Sequence, residues 1–292
     1  MKRVSYLIIG VLIGVLIGAI LFVSLFSEGS FSLGNNVGVI YIDGQIVAGQ
    51  GGNGYVGSED IIDQINKALN DRSIKSIVLR INSPGGSPAG AQEVVEKIKD
   101  VKEKKPIVVS MADTAASAAY YIALPADYIY ALPDTTTGSI GVIWVHKDES
   151  DLIENSGLNY TVVKSGKYKD MGASWNKLDG WEEQEMAKIV DDSFNRFISD
   201  VSKYREIPIA DVKKMSDGRV YRGEEAKELG LIDDVGTLDD AVQMAAKLAN
   251  IEKPSVKYIN KTTVTDNKNI GGGLDIENLS NRLFWIDGTF FQ

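Results

Sequence analysis

The stretch MADTAASAAYY, residues 111–121, sets one serine, Ser117, between two alanine pairs. It follows the apolar run Pro106-Ile-Val-Val-Ser-Met111. Together they predict a buried strand, a short loop and a helix of small residues with Ser117 near its start. That setting suits a nucleophile. Small neighbours let a substrate backbone approach, and a helix N-terminus puts amide dipoles where negative charge develops. The same composition also suits a helix that only has to pack closely, so the segment by itself leaves both readings open.

The rest of the chain narrows the chemistry by what it lacks. It has 292 residues, a formal net charge of −9, no cysteine and one histidine, His146. The length allows one or two domains with a substantial core. An acidic balance argues against nucleic acid as a partner. Without cysteine there are no disulfides, no thiolate catalysis and no cysteine metal site. With a single histidine, a histidine metal site or a conventional triad is severely limited, and no metal or ATP site is apparent. A nucleophilic serine would still need a base, and lysine is the remaining common choice. Free lysine has a pKa near ~10.4, so a lysine base must lie in a pocket dry enough to hold it neutral.

Residues 4–26 carry no charge, which is long enough for a membrane-crossing helix. Lys2 and Arg3 precede the run and Glu28 is the first charge after it. The positive-inside bias then keeps the N-terminus in the cytoplasm and the bulk of the chain outside it. A cleaved signal peptide is the competing reading, but the run is long for a signal core and its cleavage pattern is weak. Gly10, Gly14 and Gly18 share one helical face and suit close helix contact. The expected organisation is a cytoplasmic tip and anchor over residues 1–27 and a linker over 28–36. A soluble domain follows over 37–250, then a polar tail with an aromatic end over 251–292.

Within the soluble domain, strands are expected over residues 37–43, 74–81, 127–132, 138–145, 158–163 and 231–235. Helices are expected over 59–69, from Ser87 to about Lys102, and over 181–204, 223–229 and 238–248. Strand and helix alternate as they do in parallel sheets with crossover helices. Asn82-Ser-Pro-Gly-Gly-Ser87 ends one strand, and adjacent glycines there free backbone amides to face a cavity. Gly49–Gly57 is a glycine-rich loop with no phosphate-binding continuation. Lys167 and Lys169 flank Tyr168 in a polar loop, and spacing does not choose between them as a base.

Five motifs occur in one order: Asn82-Ser-Pro-Gly-Gly86, Thr114-Ala-Ala-Ser-Ala-Ala-Tyr-Tyr121, Thr137-Gly-Ser-Ile-Gly-Val142, Lys164-Ser-Gly-Lys-Tyr-Lys-Asp170 and Asp217-Gly-Arg-Val-Tyr221. In that order they resemble the bacterial signal peptide peptidase A family, membrane-anchored serine proteases of the Clp protease and crotonase superfamily. The resemblance covers residues 37–248. It implies an α/β fold, a Clp protease/crotonase-like repeated β-β-α superhelix, preceded here by the transmembrane helix. It implies Ser117 as nucleophile, Lys169 as general base, Ser139 as the residue orienting that lysine, and the amides of Gly86 and Ala118 as an oxyanion hole. No cofactor is implied. The implied substrates are remnant signal peptides and other unfolded apolar segments at the membrane. The implied assembly is a homo-oligomer whose active sites lie at protomer interfaces. One departure stands out: family members often carry Gly-Gly after the nucleophile, where this chain has Ala118-Ala119, and the added methyl is expected to narrow the cleft. Two rivals are a crotonase-like enzyme acting on an acyl-thioester and a non-catalytic membrane scaffold of the same fold.

Overall fold

The computed structural model of the protein describes residues 34–52 and 54–260. Its centre is a row of long parallel strands, β1 (Asn36–Asp43), β4 (Ile74–Ser83) and β5 (Ile107–Ala116). Short strands extend the sheet on both sides: β10 (Ser255–Tyr258) beside β1, and β6 (Tyr128–Ala131) with β9 (Asp234–Val235) beyond β5. The upper half of β5 pairs instead with β7 (Thr136–Gly138), which pairs antiparallel with β8 (Val220–Arg222). A separate parallel pair joins β2 (Gln45–Val47), just before the glycine-rich loop, to β3 (Tyr55–Gly57) at its end.

The long strands are apolar on both faces, as buried parallel strands must be. Ile40, Ile42, Ile77, Leu79, Ile81, Ile107, Val109 and Met111 face the larger core. There they meet α1 (Ser58–Asn70), α2 (Pro88–Lys102), α3 (Ala118–Ala123) and the C-terminal half of α5 (Gly180–Arg205). Val37, Val39, Val78 and Val108 face the other way and are covered by α8 (Leu238–Leu248) through Ala241, Val242, Ala245 and Ala246. The sandwich therefore comes directly from period-two alternation between two apolar faces.

Three expectations change. Residues 138–145 were expected to form a strand, but only β7 pairs, and residues 139–149 run on without sheet partners. Residues 158–163 likewise form no strand. Their apolar content favours extended backbone, but no neighbouring strand within the described chain completes a ladder, and Leu158, Tyr160 and Val163 stay exposed. Residues 255–258, expected as part of the tail, form β10, which extends the sheet at its edge. The Asn260 side chain prolongs the pairing by exchanging two hydrogen bonds with the Tyr41 backbone, at 2.9 and 2.7 Å. Three shorter helices complete the domain: α4 (Ser150–Asn155), α6 (Ile209–Lys214) and α7 (Gly223–Glu228). The anchor expected over residues 4–26 and the aromatic end of the tail lie outside the described residues. Among those described, no helix is long and apolar enough to cross a membrane.

The end of α5 is fastened by Arg205, whose Nε donates to the Gly230 carbonyl at 2.9 Å and whose fork grips Asp233 at 2.9 and 3.2 Å. Asp233 also accepts from the Ile129 amide at 2.7 Å, so one carboxylate ties the helix to β6. Arg205→Ala should destabilise the domain by about 2 kcal/mol, below the value for a fully buried pair because Asp233 keeps some solvent contact. Denaturant unfolding of the soluble domain measures it, and an unchanged midpoint would contradict this role.

Candidate active site

Ser117 occupies the hinge between β5 and α3, with φ 53° and ψ −122°. A non-glycine residue in this region costs on the order of 1–3 kcal/mol and persists only where the surroundings hold it. Here the Ser117 amide donates to the Gly138 carbonyl at 2.9 Å, and the Ser117 carbonyl accepts from Tyr121 at 2.9 Å, closing the first turn of the helix. The sharp strand-to-helix turn leaves Ser117 half-buried while Ala115, Ala116, Ala118 and Ala119 are buried. The two alanines after the serine therefore lie in the core.

The adjacent wall is Gly85-Gly86, with φ of 110° and 144°. A Cβ on Gly85 would sit 2.9 Å from both the Ala116 oxygen and the Ser117 Cβ, and 3.0 Å from the Ala118 nitrogen. One on Gly86 would sit 2.0 Å from the Ile46 oxygen. The Ile46 amide donates to Gly85 and its carbonyl accepts from Ser87, both at 2.8 Å. In such a parallel bridge the intervening residue, Gly86, turns its own N–H away from β2. Within the described residues neither Gly86 nor Ala118 donates a backbone hydrogen bond. Ala118 is the first residue of its helix and has no intrahelical acceptor. Two uncommitted donors thus lie on the segments that enclose Ser117.

Ser139 follows Gly138, the residue whose carbonyl holds the Ser117 amide, and has φ 48°. Its amide donates to the Arg219 carbonyl at 3.0 Å. The motif Asp217-Gly-Arg-Val-Tyr221, to which sequence reasoning gave no role, forms this brace. β8 pairs with β7, and the Tyr221 ring lies where a Cβ on Gly138 would come within 2.6 Å. Tyr221 is itself anchored by donating to the Met215 carbonyl at 2.8 Å.

The lysine loop distinguishes two residues that spacing did not. Lys167 is committed. Its ammonium lies 3.1 Å from the Tyr168 hydroxyl and 3.3 Å from Asp179, and these partners, Tyr168 first, hold it above the ordinary lysine range. Lys164 pairs with Asp170 at 2.5 Å and holds that carboxyl below its usual value. The Lys169 side chain is exposed and, within the described residues, has neither a hydrogen bond nor an ion pair. No hydrogen bond joins it to Ser117 or Ser139 inside one chain. His146 stacks on Trp144 and has its Nε2 3.0 Å from the Asn176 carbonyl, so that nitrogen carries the proton. The histidine has no hydrogen bond to Ser117. Among the described residues no cluster of acidic or histidine side chains is arranged to hold a metal.

Residues 99–252 match the description Peptidase family S49, and residues 36–138 match Clp protease. A Methanocaldococcus jannaschii protein named as a protease is 35% identical over 197 residues, covering 68% of this chain and 62% of that protein. Protease 4 of Salmonella typhi is 36% identical over 236 residues, covering 80% of this chain but 38% of its own length. The chain thus spans less than two thirds of either relative. A mutant of the 1510-N membrane-bound stomatin-specific protease superposes with a TM-score of 0.51 at 17% identity, over 78% of this chain and 99% of that one, a likeness of fold.

Gly86→Ala should push β2 away and disturb one donor, slowing fluorophosphonate labelling of Ser117 by about a hundredfold or more. Labelling at the unsubstituted rate would remove Gly86 from the site.

Proposed function

This chain belongs to peptidase family S49, and on that premise we propose that it is a serine endopeptidase working through a Ser117/Lys169 dyad. The observation that carries the reading is the conformation of Ser117, held at a strand-to-helix turn beside two amides with no other commitment. In the reaction, neutral Lys169 takes the Ser117 proton as Oγ attacks a peptide carbonyl. The developing oxyanion is received by the Gly86 and Ala118 amides, each contributing about 3 kcal/mol. Lys169 then gives its proton to the leaving amine, and water hydrolyses the acyl-enzyme. Ser139 orients the lysine.

The lysine is supplied by a neighbouring copy. A base must be neutral, and a lysine in water is not; Lys169 is exposed in the single chain. The segments flanking its loop expose Ile143 (82%), Val145 (76%) and Val163 (94%), surface that a second protomer would cover while drying the ammonium. Substrates are remnant signal peptides and other unfolded apolar segments, presented at the membrane by an anchor over residues 4–26. The catalytic domain lies on the extracytoplasmic side. A crotonase-like enzyme would use the same amides on an acyl-thioester and need no nucleophile, and a scaffold would need neither. Fluorophosphonate labelling at Ser117 separates both from a peptidase.

Ser117→Ala and Lys169→Ala should each abolish peptide cleavage with the fold intact, and Lys167→Ala should keep most activity. Equal losses at the two lysines would overturn the assignment of the base. His146→Ala should leave the pH dependence of cleavage unchanged, because the histidine is not the base; a changed profile would make it one. Co-refolding inactive Ser117→Ala and Lys169→Ala proteins should restore about a quarter of the activity if the dyad spans a head-to-tail interface. No recovery in proven mixed oligomers would place the dyad within one chain.

A further inference from the structure

Helix α5 contacts residues next to both Lys169 and the Ser117 turn, through Lys167 and Tyr168 at one end and Tyr121 at the other. At its N-terminus, Asp179 caps the helix by accepting from Trp181 and Glu182 at 2.9 Å, and pairs with Lys167. Tyr168 stacks on Trp181 with ring centroids 3.9 Å apart. The two residues before Lys169 are thereby fixed to the first turn of the helix. At the other end, the Tyr121 hydroxyl donates to Asp200 in a short hydrogen bond, and its ring meets Phe197 edge-on at 5.2 Å. Tyr121 lies in α3 and donates its amide to Ser117. Burial, and then Asp200, push its phenol pKa well up, so the hydroxyl keeps its proton. The span from Trp181 to Asp200 is roughly 29 Å of helix. Of its residues only Phe197, Ile198 and Val201 are buried, so the N-terminal half has little other support.

We propose that α5 is a strut by which the nucleophile helix of a protomer positions the lysine which that protomer offers to its neighbour, with Tyr121–Asp200 as the joint. This rests on the shared-dyad reading above. If the lysine serves the next protomer's serine, the strut links consecutive active sites in one direction around the assembly. Tyr121 is then a positioning residue for a site to which it contributes no atom.

The test places one substitution on one side of a mixed site. In co-refolded Ser117→Ala and Lys169→Ala proteins, every working site takes its serine from the second protein and its lysine from the first. Tyr121→Phe is added to either. On the lysine donor, whose own serine is already gone, it should lower kcat by about three- to tenfold with KM little changed. On the serine donor the loss should be smaller. Asp200→Asn on the lysine donor keeps an acceptor and should restore most of the rate relative to Asp200→Ala. Should Tyr121→Phe prevent assembly, Asp200→Ala removes the same bond from the more solvent-facing partner. A loss that follows only the serine donor means that Tyr121 merely packs its own active site, and overturns the strut alone. No activity in the unmodified mixture overturns the shared dyad and the strut with it.

Discussion

The contact between two backbones at the top of the sheet governs the site. Gly85 lies against Ala116, Ser117 and Ala118 so closely that no side chain fits between them. The approach is possible because β4 and β5 are register-locked neighbours whose pairing shifts between Ile81 and Ser83, allowing one loop to fold over the other. The loop is held from behind by Ile46, which occupies both of its backbone groups with Gly85 and Ser87. What is left unused, the outward amides of Gly86 and Ala118, is fixed by hydrogen bonds made elsewhere. Donors held in this way need no reorganisation when charge appears.

Around that contact the molecule separates rigid parts from projecting ones. The serine, the glycine pair and Ser139 all sit at the C-terminal ends of buried parallel strands, braced by β8. The lysine loop belongs to a segment with almost no core of its own, stiffened by aromatic stacking, surface ion pairs and the capped start of α5. Surface ion pairs are individually weak, so they add little to the stability of this region.

The sequence made the sheet legible because both faces of β1, β4 and β5 are apolar, and it made the Ser117 turn legible through its run of alanines. It was less informative wherever the outcome depended on a distant partner. Residues 158–163 have strand composition but no strand beside them. Ser255-Val-Lys-Tyr258 looks like polar tail and becomes β10 only because the edge of β1 is open. Lys167 and Lys169 are equivalent by spacing and differ because Lys167 pairs with Asp179 at the start of a helix. Tyr121 reads as an ordinary core aromatic until Asp200, far along the chain, is found beside its hydroxyl.

The positive φ of Ser117 also limits the chemistry this position can reach by mutation. A β-branched side chain in that conformation crowds its own backbone, so threonine, the nearest alternative alcohol, is disfavoured where it would be chemically adequate. Glycine, the residue most at ease there, has no nucleophile. The elbow therefore confines drift at residue 117 to small unbranched side chains. With Ser117 as the nucleophile proposed above, a lineage that abandons serine here is steered away from a different alcohol nucleophile.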